Sequence, residues 1–114
     1  MELFDKREGK HLILSVSGNI VLEDTTKLKE HIEQYIEDAS ISGIIINCEN
    51  VKFIDSSGLG LIVSIYKTLK KMEKQFALTS LSDRTMEIFT LTKLDNILMI
   101  VPDDSAALAS FSDA

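Results

Sequence analysis

The chain is short of the groups that most catalytic and metal-binding sites are built from. It has two histidines, His11 and His31, far apart in sequence, and a single cysteine, Cys48. That set cannot assemble a metal cluster, and a lone cysteine cannot close an internal disulfide. Cys48 lies beside an apolar run and reads as a small buried filler, which suits a reducing compartment. No apolar stretch approaches the roughly 20 residues needed to span a bilayer. The charged segment from Met1 to Lys10 lacks the apolar centre of a signal peptide. Basic residues are also scarce, with 12 Lys and Arg against 18 Asp and Glu and a net charge of −6. That balance argues against nonspecific binding to nucleic acid or to anionic lipid. Together these absences predict a cytoplasmic protein with no cofactor, no metal, no direct nucleic-acid binding and no membrane contact. Repeats, low-complexity segments and linkers are missing too.

What remains suits a compact fold. The 114 residues, 45% hydrophobic and 26% charged, fit one domain over 1–114. At this size a core can bury roughly two-thirds of the unfolded surface without staples. Residues 11–17 alternate, with Leu12, Leu14 and Val16 on one side, and predict a strand ended by Gly18-Asn19. A weaker strand near Leu3 to Lys6 pairs with it through Glu8-Gly9-Lys10. Asp24 is a candidate N-cap for a helix whose stripe is Leu28, Ile32, Tyr35 and Ile36, ending near Ala39. Ile44-Ile45-Ile46, apolar without alternation, predicts a central strand covered on both faces. A helix from about Ser57 carries Leu59, Ile62, Val63, Tyr66, Leu69 and Met72, widened by Leu61 and Ile65. Phe76 to Thr79 is the next strand. Asp83 is expected to cap a third helix with Met86, Phe89 and Leu94 inward. Ile97 to Val101, ended by Pro102, is a last strand. Asp103 is expected to cap a final helix through Ala107, Leu108 and Phe111, with frayed last residues. The order predicts an α/β fold, a mixed and mainly parallel sheet of about four to five strands with about four helices. On such sheets functional groups gather at the carboxyl ends of strands.

Val51-Lys52-Phe53-Ile54-Asp55-Ser56-Ser57-Gly58-Leu59-Gly60 falls at such an end. Ser56 and Ser57 are placed where a hydroxyl can cap a helix, satisfying first-turn N–H groups. A phosphate added there gains from the same donors and from the helix dipole. It adds about −1.5 to −2 charges. The domain should therefore tolerate it, while an uncompensated charge in a docked interface costs several kcal/mol. Gly58 and Gly60 would let a partner approach closely, with Leu59 and Leu61 offering apolar contact. On spacing alone, Asp-Ser-Ser-Gly is equally a generic strand-to-helix turn with a cap. Lys67, Lys70, Lys71 and Lys74 read as the solvated face of the second helix, with an acidic partner surface as the alternative.

The run Phe53 to Gly60 closely resembles the signature of the STAS domain, and most of all the stand-alone bacterial anti-sigma-factor antagonists. Gly18, Ile44-Ile45-Ile46-Asn47 and Leu91-Thr92-Lys93-Leu94-Asp95-Asn96-Ile97 extend the resemblance over nearly the whole chain. The resemblance implies a partner switch without catalysis of its own. The unmodified protein binds a serine kinase of the GHKL ATPase type that doubles as an anti-sigma factor, and so frees that factor's client. Phosphorylation of Ser56 breaks the complex, and a PP2C-type phosphatase restores it. Asp55 would orient the hydroxyl or shape the docking face, to which Ser57, Gly58, Leu59 and Gly60 would contribute. The output could be a sigma factor, a stressosome, secretion, motility or biofilm formation. Two positions depart from the family pattern. Val21 stands where many relatives have an acid in Gly-x-x-Asp, which bears on kinase docking, and Asn47 stands where many have aspartate.

Rival readings fare worse. His11 opens a strand and His31 is expected to face solvent, so no serine here has a base, and no Gly-x-Ser-x-Gly elbow exists. Ser64-Ile65-Tyr66-Lys67 matches Ser-x-x-Lys by letter alone. Gly58-Leu59-Gly60-Leu61 lacks the Gly-Lys-Ser/Thr ending of a P-loop. A receiver domain with Asp55 as acceptor would need an acidic pair after the first strand, and Leu12 to Gly18 has none. A STAS scaffold or sensor not switched by phosphate is the remaining alternative.

Overall fold

The structure, a computed structural model, describes residues 1–111. Five strands form one sheet in the order β1-β2-β3-β4-β5. They are β1 (Glu2–Glu8), β2 (His11–Ile20), β3 (Gly43–Ile54), β4 (Gln75–Thr79) and β5 (Met99–Val101). The helices are α1 (Thr25–Ile36), α2 (Ser56–Lys71), α3 (Asp83–Leu91) and α4 (Asp104–Phe111). β1 runs antiparallel to β2, and every other pair is parallel. The expected mixed, mainly parallel sheet is therefore present. The frayed end expected after Phe111 lies outside the described residues.

The strand order explains where the helices go. Each parallel crossover steps to the next strand in the same direction. Right-handed connections then put every crossover helix on one face. The packing agrees. Leu12, Leu14, Val16, Ile44 and Ile46 meet Leu28 and Ile32 of α1, Ile62, Ile65 and Leu69 of α2, and Phe89 of α3 in one cluster. The opposite face carries Ile13, Ile45 and Ala77, covered by Ala107 and Phe111 of α4. Ile44, Ile45 and Ile46 are each fully buried, as the unbroken apolar run predicts for a central strand.

Several boundaries differ from the sequence reading. β3 continues past Ile46 to Ile54, with register shifts against β2 between Ser15 and Ser17 and between Gly18 and Ile20. The alternation rule misses this stretch because irregular pairing breaks the period of two. α1 stops at Ile36 rather than near Ala39. Asp24 stands at its start without a side-chain cap, because a single 3-10 turn, Leu22–Asp24, already leads in. Ser82, not Asp83, caps α3 through the Thr85 N–H. Leu94 lies in a separate 3-10 turn, and β5 begins at Met99, leaving Ile97 exposed. The Asp103 cap holds, its carboxylate accepting from the Ala106 N–H at 2.8 Å. Met72 falls after the last turn of α2 and is exposed, off the buried stripe.

Two polar clusters fasten helices to the sheet. Asn47 Nδ2 donates to both carboxylate oxygens of Asp104, at 3.0 Å each, and the Thr79 hydroxyl donates to Asp104 at 2.5 Å. Asn47 Oδ1 accepts the Glu49 N–H, which fixes the amide's orientation. On the other face His31 does not point freely to solvent as expected. Its Nε2 lies 2.7 Å from Asp5, and Tyr35 donates its hydroxyl to the same carboxylate. Lys74 is also no part of a solvated face. Its ammonium donates to the carbonyls of Ile36 and Asp38, satisfying the end of α1. Lys67, Lys70 and Lys71 are exposed as expected.

Candidate functional site

The site forms where β3 hands over to α2. Ile54 is buried and ends the strand, and Asp55, extended at φ −90° and ψ −178°, is the N-cap of α2. One carboxylate oxygen accepts the Gly58 N–H at 2.8 Å, and the other accepts the Leu22 N–H at 3.2 Å. The Asp55 N–H donates to the Ile20 carbonyl at 3.2 Å. Asp55 therefore welds three segments, the end of β2, the turn into α1 and the start of α2. Its negative charge also sits at the positive end of a 16-residue helix.

This arrangement corrects the expectation that Ser56 or Ser57 caps the helix. A capping residue needs extended backbone one position before the first turn, and that position belongs to Asp55. Ser56 is the first residue of α2, one earlier than predicted, and is exposed, whereas Ser57 is half-buried. The Ser56 hydroxyl makes no hydrogen bond to any described residue. It projects from the first turn with no internal role.

The two glycines have opposite reasons to be there. A Cβ on Gly58 would lie 2.2 Å from the Ile20 carbonyl oxygen, so the missing side chain lets α2 pass over the end of β2. Gly58 is buried and not available for close approach by a partner, contrary to the expectation. A Cβ on Gly60 would meet nothing within 4 Å, and Gly60 is exposed, so close approach remains open there. Leu59 and Leu61 are half-buried against the main core.

Two residues missed by motif reading flank the serine's neighbourhood. Leu22 is 63% exposed although its N–H is anchored to Asp55, and Phe53 is 40% exposed at the end of β3. Large apolar side chains held outward on fixed backbone suit partner contact. Phe53 belongs to the quoted motif, but its exposure could not be read there because the bulged end of β3 sets its direction. Val21, half-buried, stands immediately before the turn that reaches Asp55, so the segment departing from the usual acid does border the site. Among the described residues no group of three or more His, Cys, Asp or Glu is placed to hold a metal ion. No described helix is long and apolar enough to cross a membrane.

Cys48 is fully buried, and burial pushes its thiol up to about 12, so it stays protonated and inert. It is a small filler of the main core, as expected.

Comparison with known proteins agrees with this geometry. A family model described as the STAS domain matches residues 5–107. A Listeria monocytogenes protein named anti-sigma-B factor antagonist is 33% identical over 95 residues, covering 83% of this chain and 82% of that protein. A crystal structure of a candidate anti-sigma factor antagonist from Thermotoga maritima superposes with a TM-score of 0.91 at 25% identity, covering 96% of this chain and 94% of that one. The Bacillus cell fate determinant SpoIIAA in its phosphorylated form shares the fold, with a TM-score of 0.73 at 19% identity over 96% of this chain and 99% of that one.

Proposed function

The chain belongs to the STAS domain family, and from that premise we propose that it is a non-catalytic partner-switching regulator of the anti-sigma factor antagonist type, comprising one domain over 1–114. In this reading the unmodified protein docks on an anti-sigma factor that is also a serine kinase of the GHKL ATPase type, and releases that factor's client. The kinase phosphorylates Ser56, the complex separates, and a PP2C-type phosphatase resets it. The observation that carries the reading is the Ser56 hydroxyl, exposed at the first turn of α2 and free of internal bonds, with the capping duty taken by Asp55.

The physics supports a switch of binding rather than of fold. A phosphate on Ser56 breaks no hydrogen bond of the scaffold, and the helix N-terminus favours its charge. Asp55 carries a negative charge one residue away, so the modified turn becomes doubly anionic. Leu22, Phe53, Leu59 and Gly60, with Ser57, surround this turn as the docking face. Asp55 and Gly58 act beneath it, fixing its shape from inside. Desolvating the new charge against a partner built for a neutral hydroxyl costs several kcal/mol, and each ~1.4 kcal/mol is tenfold in affinity.

The test is a pull-down from the source cell with Ser56→Ala as bait, followed by phosphosite mapping of wild-type protein incubated with the captured kinase and ATP. A GHKL-type kinase in the eluate and phosphate on Ser56 are expected. Modification of Ser57 alone would overturn the assignment, and capture of no kinase would leave the scaffold reading in its place.

A further inference from the structure

The long open edge of the sheet carries a surface that the proposed switch does not use. β1 is an edge strand of seven residues, and its register with β2 is unbroken from Glu2↔Ser17 to Glu8↔His11. It has no proline and no bulge, two of the usual means of blunting an edge. Glu8 and His11 close a two-residue turn whose first member, Gly9, lies at φ +61°. In such a hairpin the closing pair exchanges both backbone bonds, and pairs alternate from there. Glu8, Lys6, Phe4 and Glu2 therefore bond to β2, while Arg7, Asp5 and Leu3 turn their N–H and C=O groups outward, without strand partners among the described residues.

Charged side chains ordinarily discourage edge pairing, but here those of one face are already engaged. Asp5 is held by His31 and Tyr35, and Arg7 by the Gly9 carbonyl and by Ser40. On the other face Glu2, Phe4 and Lys6 stand in a row. Phe4 is 55% exposed, and the residue beside it on β2 is Ser15, too small to cover it. Lys6 meets Glu8 at 3.2 Å, a pair open to solvent and worth little. α4 covers this face over Ile13, Ile45 and Ala77, with Phe111 against the His11 ring, and leaves Glu2, Phe4 and Lys6 of β1 exposed.

We propose that β1 pairs antiparallel with β1 of a second copy of this chain, about a two-fold axis at Phe4. The axis stands perpendicular to the sheet, so like faces align and residues whose numbers sum to eight sit opposite. Phe4 then faces Phe4 of the other copy, Glu2 faces Lys6, and Lys6 faces Glu2. Leu3 and Asp5 exchange the outward backbone bonds. The sequence Glu-x-Phe-x-Lys is thus self-complementary in charge about an aromatic centre, as an isologous interface requires. Phe4 falls in a non-hydrogen-bonded pair, where side chains come closest. The joined sheet has ten strands. The β3–α2 turns of the two copies lie at its opposite ends, so both Ser56 hydroxyls stay accessible. One strand pair buries less than a standard interface, so the dimer is concentration-dependent.

Sedimentation velocity over a wide concentration series tests this. Wild type should move from monomer to dimer. Lys6→Glu and Glu2→Lys should each raise the dissociation constant about tenfold, and the double exchange should restore it, because it rebuilds the same two pairs reversed. Phe4→Cys should form an intermolecular disulfide on mild oxidation and Glu2→Cys should not, Cys48 being buried and silent. All these positions are exposed, and circular dichroism checks that each variant folds. A monomer at every concentration, a double exchange as weak as the single ones, or cross-linking of Glu2→Cys as ready as that of Phe4→Cys overturns the proposal.

Discussion

Alanine placed at Gly58 and at Gly60 should move stability in opposite directions, although the two positions lie two residues apart on one helix. At Gly58 the new Cβ would sit 2.2 Å from the Ile20 carbonyl oxygen, against an ordinary contact of 3.4–4 Å. The obstacle is backbone, so α2 or the end of β2 must shift by more than an ångström. Overpacking of this kind costs about 1–3 kcal/mol. The shift also strains the bond from the Asp55 N–H to that same oxygen, worth about 1 kcal/mol. Alanine's better helix propensity returns about 0.5–1 kcal/mol. The net loss is about 1–3.5 kcal/mol, or roughly 4–14 °C in Tm for a chain of this length. At Gly60 the Cβ meets nothing within 4 Å, so only the propensity gain remains. That variant should be stabilised by about 0.5–1 kcal/mol, roughly 2–4 °C. Thermal melts by circular dichroism and urea titrations with unchanged m-values measure both. Shifts of the same sign, or a neutral Gly58→Ala, would refute the claim that the motif's first glycine is fixed by packing. If Gly60→Ala is stabler yet binds the captured kinase less well, close approach of the partner at Gly60 is supported.

Ser56→Asp should weaken kinase binding by tenfold or more in isothermal titration, while its Tm stays within about 2 °C of wild type. Unchanged affinity would count against the charge mechanism. Asp55→Ala removes a cap and orphans the Leu22 N–H, and should cost about 1–3 kcal/mol in urea unfolding. A neutral result would mean the carboxylate does not join the three segments. The Cys48 thiol, pushed up to about 12 by burial, should resist Ellman's reagent at neutral pH in the folded protein and react fully in urea. Rapid native labelling would contradict its burial. Desolvation and the neighbouring Lys10 hold the His11 imidazole below its ordinary value of 6.5. The fold therefore prefers the neutral ring, and this contribution is full above the ordinary value of 6.5 and is lost as pH falls from there through the lower value of the folded state. The drop in stability between pH 7 and pH 5.5 should be smaller in His11→Gln, and an identical pH profile would reject the assignment.

Much of the framework was legible because it rests on local periodicity. The alternation of Leu12, Leu14 and Val16 marked β2, and three successive isoleucines marked a strand buried on both faces. Short signals such as Glu8-Gly9-Lys10 and Pro102 marked the turns. The Asp55-Ser56 turn was legible as a motif at a strand end, and it lies there. Two of the errors share one cause, a side chain whose partner is distant in sequence. His31 meets Asp5 across 26 residues, and Lys74 reaches the Ile36 carbonyl across 38. Neither separation leaves a local pattern. Cap assignments went astray more subtly. Asp55 and Ser56 are both good caps by type, as are Ser82 and Asp83, and backbone conformation chooses between them.

The sequence by itself determined the order of strands and helices, the two-faced burial of β3 and the position of the Asp55-Ser56 turn at its end, because periods of two and near four in apolar residues report which surfaces must leave water. Only the tertiary structure decided which residue of that turn is scaffold and which is free. The end of β2 brings the Ile20 carbonyl and the Leu22 N–H against it. The Leu22 N–H donates to the Asp55 carboxylate, the Ile20 carbonyl accepts the Asp55 N–H and excludes any side chain at Gly58, and the Ser56 hydroxyl is left facing solvent, bonded to none of the described residues.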